Sequence, residues 1–200
     1  MKRLFFLFLA ITSSLTTIAQ DYYVNVENDY VKRFLDNTYY TDVSSTSTVV
    51  RYYIEPNNLC SLPNPAVLTV PEHAAADQLT VTYSQDEDFE NATTEDIVKD
   101  AQEALIYNLI PCTVYYYKMM ADDEVIAQGK IITDGRLRMI RVPVGGFNIR
   151  DLGGWPTEDG LMVKYGKLFR GSELNGKYVA DELSISILKQ LGIGAELDFR

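Results

Sequence analysis

Phe147, Asn148, Ile149, Arg150, Asp151, Leu152, Gly153, Gly154, Trp155, Pro156, Thr157, Glu158, Asp159 and Gly160, running on to Gly166-Lys167-Leu168-Phe169-Arg170, decide how this 200-residue chain is read. The stretch reads as extended chain, a sharp turn and a hairpin. Phe147, Ile149 and Leu152 bring apolar bulk, while Gly153 and Gly154 permit a positive φ that a residue with Cβ resists. Pro156 fixes its own φ and pushes Trp155 toward extended geometry. Glu158-Asp159-Gly160 is turn chemistry. Leu161, Val163 and Tyr165 alternate with Met162 and Lys164, which predicts a half-buried strand. Arg150 and Asp151 interrupt the apolar run. Charges are seldom buried unless paired, so both are expected to find partners, most simply in a salt bridge pinning two loops.

Further on, the apolar spacing predicts a helix over 179–191, with Val179, Leu183, Ile187, Leu188 and Leu191 on one face. Asp181 and Glu182 near its start and Lys189 near its end suit the helix dipole. Gly192 supplies the stop. Residues 193–199 read as a strand, and a helix feeding a strand is how an α/β layer is built.

These residues resemble the opening of one family, the bacterial tyrosine phosphatases of the Cys-x5-Arg class, a group that includes secreted tyrosine and phosphoinositide phosphatases. Domains of that family begin Asn-Phe-Arg-Asp-Leu-Gly-Gly. Here stand Asn148, Ile149, Arg150, Asp151, Leu152, Gly153 and Gly154. The family continues with Gly-x-Leu-Phe-Arg-Ser-x-x-Leu, and here Gly166, Lys167, Leu168, Phe169, Arg170, Gly171, Ser172, Glu173 and Leu174 follow, Gly171 displacing the serine by one place. A helix ending in Leu-Gly-Ile and a strand ending in Asp-Leu-Arg complete the family's order. Leu191-Gly192-Ile193 and Asp198-Phe199-Arg200 match them. The resemblance covers the last third of the chain and only the opening of such a domain.

The family's chemistry needs a thiolate in a loop whose N–H groups and one Arg cradle the phosphate. The only cysteines are Cys60 and Cys112, and six residues after them stand Ala66 and Lys118. No catalytic residue of that kind is therefore expected in this chain. Arg150, Asp151, Asp198 and Arg200 are what the resemblance implies as pocket-supporting residues. A parallel sheet is not closed by one helix and one strand end. The expectation is the truncated start of an α/β phosphatase domain over 141–200, inactive by itself.

Charge and composition separate this region from the rest. Net charge is −10, but residues 20–140 hold 8 Lys/Arg and 20 Asp/Glu, while 141–200 hold 8 of each. An acidic front argues against nucleic acid and anionic membrane as partners. Residues 1–19 read as a secretory signal: Lys2 and Arg3, then an apolar core too short to span a bilayer, then small residues up to Ala19. The expected location is exported, periplasmic or secreted, with no transmembrane anchor after cleavage. Cys60 and Cys112 form an even pair in such a compartment, so a disulfide and two free thiols are both open.

Residues 20–140 are expected to be a β-sandwich with its core over about 59–140. Strand signals lie at 49–54, 66–70, 78–83 and 125–133, with a hairpin loop at 121–124. A short helix is expected at 30–35, and residues 86–100 as an acidic connection. Tyr107, Asn108, Leu109, Ile110, Pro111, Cys112, Thr113, Val114 and Tyr115 resemble the opening of the penultimate strand of fibronectin type III domains. The resemblance implies that Tyr115 bonds back across a corner of the sandwich. Residues 141–146 read as a linker.

Other chemistry finds no support. His73 is the lone histidine, without the partners that zinc or a Ser-His-Asp triad needs. The acidic run lacks calcium-loop spacing, and 160–167 misses the phosphate-loop glycine spacing. No metal and no cofactor is expected. The reading is thus the front of an exported phosphomonoesterase acting on phosphotyrosine protein or a small phosphomonoester. The competing reading is a secreted, non-catalytic binding or adhesion module with a remnant tail.

Overall fold

The structure is a computed structural model and describes residues 17–29, 32, 62–72, 76–174 and 179–198. Its strands are β1 (Ile18–Ala19), β2 (Tyr22–Asn25), β3 (Ala66–Thr69), β4 (Leu79–Ser84), β5 (Thr93–Asp96), β6 (Glu103–Ile106), β7 (Val114–Ala121), β8 (Glu124–Asp134), β9 (Met139–Ile140), β10 (Ile149–Asp151) and β11 (Phe169–Arg170). One helix of nine residues follows, α1 (Glu182–Gln190).

The main sheet runs β8-β7-β4-β5, all antiparallel, and β1 and β2 lie in turn along the outer edge of β8 in parallel. The β3–β6 pair forms a second layer. Strict alternation builds the space between. Tyr115, Tyr117, Met119 and Ala121 of β7 point inward, and so do Ala66 and Leu68 of β3 and Ala104 and Ile106 of β6. Leu68, Ile106, Met119 and Ile131 are wholly buried. Each contributes roughly 1.5–3 kcal/mol by leaving water. On β8 the register slips at Met119 and Met120, leaving Ile126 unmatched as a bulge and burying it beside Ala127.

Two turns show why the sequence folds this way. Asp122 turns the β7–β8 hairpin at φ +50, and its Oδ1 accepts the N–H groups of Asp77 and Gln78. A short carboxylate side chain makes that left-handed geometry tolerable. Tyr115 bonds back as expected: the Ile110 N–H donates to its hydroxyl at 2.9 Å.

The front of the chain enters the same sheet. The Tyr117 hydroxyl donates to the Gln20 carbonyl at 2.9 Å. That carbonyl fits only because residue 129 is glycine, since a Cβ there would lie 2.0 Å from it. Ile18 and Ala19, which sequence assigns to the end of a leader, lie on β8. The strand expected at 49–54, His73 and Cys60 lie outside the described residues, and so does most of the helix expected at 30–35.

Several expectations need correction. The acidic connection 86–100 contains β5, an edge strand whose charged side chains face outward. β6 is not among the strands that the sequence predicts, because four residues carry too short an alternation to signal one. The 141–146 linker is not free chain. Val142 is buried in a second core with Ile140, Ile149 and Leu188, and β9 just before it pairs with β10. The strand expected over 161–165 is only a narrow hairpin with one bridge, Pro156 to Met162. Leu161 and Met162 stay 66% and 65% exposed, because no neighbouring strand lies against them among the described residues. The helix begins later than expected, with Asp181 as N-cap accepting the Ser184 N–H at 2.8 Å. Its inner face is Ser184 and Leu188, flanked by Ile185, Ile187 and Leu191, while Val179 and Leu183 face outward. Residues 193–198 are irregular rather than the expected strand, since no strand among the described residues lies beside them to pair with.

Candidate functional site

The small sheet β9-β10-β11 positions the charged pair. Ile149 and Asp151 share one face of β10, and Arg150 takes the other. Asp151 is fully buried. Its Oδ2 meets Nη1 of Arg138 at 3.3 Å and accepts the Gly166 N–H at 2.8 Å. Its Oδ1 accepts the Gly153 N–H at 2.9 Å. Arg138 is itself buried and sends Nε and Nη2 to the Asn108 carbonyl at 3.0 and 2.6 Å. Asn108 is held at φ +62. Its amide grips Arg141 at both ends, accepting from the N–H and donating to the carbonyl. A chain of polar contacts thus runs from the sandwich through Arg138 to Asp151 and both ends of the hairpin.

The expected salt bridge exists, but with Arg138 as the cation. Arg150 instead binds Asn148 Oδ1 through Nε and Nη2 at 3.0 and 2.8 Å. The glycines differ in role. Gly154 has the positive φ, +82, and a Cβ there would strike the Tyr165 hydroxyl and the Arg136 carbonyl. Gly153 makes room for the Tyr165 backbone, which a Cβ would approach to 2.5 Å. The Tyr165 hydroxyl donates to the Arg136 carbonyl at 2.7 Å, and burial pushes its pKa up to about 12.

The other expected residues do not join this cluster. Asp198 is exposed in the irregular segment after α1. Arg200 and Cys60 lie outside the described residues. Cys112 is an exposed free thiol at φ +51, beside the Gly135 carbonyl at 3.3 Å.

Two residues of the network gave no warning in the sequence. Arg138 sits in a run that reads as the end of the sandwich. Glu27 is almost fully buried, and its Oε1 accepts the Arg136 and Leu137 N–H groups at 2.7 Å each. Only the spacing of Arg136 and Arg138 just before β9 could have suggested a cation for Asp151.

Between the sandwich and α1 lies an open cleft of about 1050 Å³, lined among others by Tyr83, Tyr107, Arg138, Arg141, Leu183 and Ile187. The Arg141 guanidinium stacks on Tyr107, 4.2 Å from the ring centre. No cluster of metal-ligating side chains occurs among the described residues, and no helix among them is long and apolar enough to cross a membrane.

Part of this geometry falls inside a recognisable segment. Residues 143–200 match the model of the tyrosine phosphatase family. The match supports a phosphatase-like function for that part of the chain and implies phosphorylated substrates. No curated protein and no solved structure matches. Asp151, Gly153, Gly154 and Gly166 belong to the matched part, whereas Arg138 and Asn108, which hold Asp151 in place, precede it.

Proposed function

We propose that this chain is the front of an exported phosphomonoester hydrolase of the tyrosine phosphatase type, with a fibronectin type III-like sandwich ahead of an α/β catalytic domain. The observation that carries this reading is the family match over 143–200, coinciding with the buried Asp151 that fixes both glycine-marked ends of the hairpin. In the reaction of that family, a Cys thiolate attacks phosphorus and an Asp protonates the leaving oxygen. Water then cleaves the cysteinyl phosphate. The Cys-x5-Arg loop is not in this chain, so the 200 residues by themselves are inactive. Asp151 is a positioning residue, and the family resemblance implies Arg150, Asp198 and Arg200 as further pocket-supporting residues. The substrate is a phosphotyrosine protein or a small phosphomonoester.

Exposed apolar side chains along the hairpin support an incomplete domain: Trp155, Leu161, Met162, Val163 and Leu168 all face solvent. Five large apolar side chains left exposed within one short hairpin are what an uncovered neighbour surface leaves behind. The sheet order β8-β7-β4-β5 facing β3–β6, with the Tyr115 corner, supports the fibronectin type III-like reading. The leader-like 1–19 supports export to the periplasm or beyond.

A second reading, a non-catalytic secreted binding or adhesion module with a remnant tail, is favoured by the open cleft beside the acidic β5 edge. Reading the coding DNA past Arg200 separates the two. A continuing frame that encodes His-Cys-x5-Arg followed by Ser or Thr is the expected result. A stop codon with no such sequence nearby leaves the binding module.

A further inference from the structure

β10 and β11 set Arg150 directly opposite Arg170. Opposed side chains on antiparallel strands leave the sheet on one face, with Cβ atoms about 4.5–5.5 Å apart. Two like charges in that position repel each other. The neighbouring pair, Asp151 and Phe169, points the other way, into the packed side of the sheet. The carboxylate nearest in sequence is therefore turned away from the two guanidiniums and committed to Arg138.

Nothing else among the described residues offsets the two charges. Arg150 has Asn148 as its one side-chain partner, which holds Nε and Nη2 and leaves Nη1 open. The Arg170 side chain is exposed and makes no hydrogen bond or ion pair with the described residues. The Asn148 Nδ2 group donates to none of them either. Asn148 itself is locked at φ +54, so the anchor for Arg150 is set by the backbone. The face thus presents the donors of two opposed arginines, with the Asn148 amide beside Arg150 and no acceptor left over among the described residues. Planar guanidinium forks are matched to the oxygens of a phosphoryl group, which they bind in pairs of parallel hydrogen bonds.

We propose that Arg150, Arg170 and Asn148 form a binding site for a phosphoryl dianion on the outer face of β10–β11. The site goes beyond the catalytic reading above, since binding there needs no thiolate and no residue outside this chain. Arg150 supplies a fixed donor pair, Arg170 closes on the anion from the opposite strand, and the Asn148 amide completes the edge.

The experiment is titration of the full chain, labelled with nitrogen-15, with inorganic phosphate, following the arginine Nε–H signals. Saturable shifts at Arg150 and Arg170 are expected. Arg170→Gln should weaken the affinity at least about tenfold, the loss of one charge-assisted hydrogen bond. Asn148→Gly keeps the left-handed backbone but frees Arg150, and should weaken binding as well. Arg141→Gln, a cation stacked elsewhere on Tyr107, should leave it unchanged. Phenyl phosphate in place of phosphate distinguishes the sources. Binding of both supports a phosphomonoester ligand, and binding of phosphate alone supports the free ion. Circular dichroism of each variant checks the fold. Absence of a saturable shift, or equal affinity in folded Arg170→Gln, overturns the site.

Discussion

Asp151→Ala should lower the unfolding free energy by about 3–5 kcal/mol, because it strands a buried cation. Arg138 would keep its two bonds to the Asn108 carbonyl but lose the only carboxylate facing it among the described residues. The Gly153 and Gly166 N–H groups would lose their acceptor together. Those two groups mark where the hairpin leaves and rejoins the sheet, so the loss falls on the matched segment first. Asp151→Asn keeps the shape and one set of acceptor lone pairs, and should cost less. Arg150→Ala makes the contrast: its partner is one exposed-side amide, and the cost should stay under about 1 kcal/mol. Denaturant titration of the three variants reads these differences. If Asp151→Ala came within about 1 kcal/mol of the parent, the buried pair would not be what holds the segment.

The second large effect is expected in alkali. The denaturation midpoint should fall steeply once pH passes about 10, the ordinary tyrosine value. Burial raises the phenols of Tyr83, Tyr115 and Tyr117, and takes Tyr165 to about 12. At Tyr83 the charge of Glu95, which accepts its hydroxyl at 2.6 Å, adds to the effect. In the unfolded chain these groups lose protons from about pH 10 onward, while the folded protein keeps them. Stability is therefore fully present below that pH and drains away above it. Each well-buried tyrosine accounts for up to about 1.4 kcal/mol per pH unit, and the half-exposed Tyr165 for less. Tyr83→Phe should make the slope shallower by one such share. A midpoint that stays flat between about pH 8 and 11, or a slope unchanged by Tyr83→Phe, would contradict the assignment.

Much of the sandwich was legible because its strands alternate cleanly. Leu79 and Val81 against Thr80 and Thr82, and the tyrosine run into Met119, place their own faces. Tyr115 was readable from the residues around it. What escaped were features set by distant chain. β5 is acidic and reads as loop, yet it pairs with Thr82 and Tyr83 because an edge strand needs only one neighbour. The two-residue β9 carries no pattern at all, and it exists because β10 folds back on it. In the tail, the motif residues signalled that Asp151 matters, but its partner Arg138 lies thirteen positions upstream, across a stretch that looked like a linker. The strands expected over 161–165 and 193–199 had the right alternation. Local pattern cannot supply the neighbour that a strand needs.

The proposed function turns on one claim: that residues 141–200 open a thiol-dependent phosphatase domain whose nucleophile is not among these 200 residues. Hydrolysis of p-nitrophenyl phosphate by the purified 200-residue chain, assayed with a chelator present and before and after iodoacetamide, tests it most directly. The account expects no turnover above the buffer rate in either condition. Turnover that survives chelation and disappears on alkylation would contradict it, since the thiolate would then have to be one of the two cysteines already in the chain.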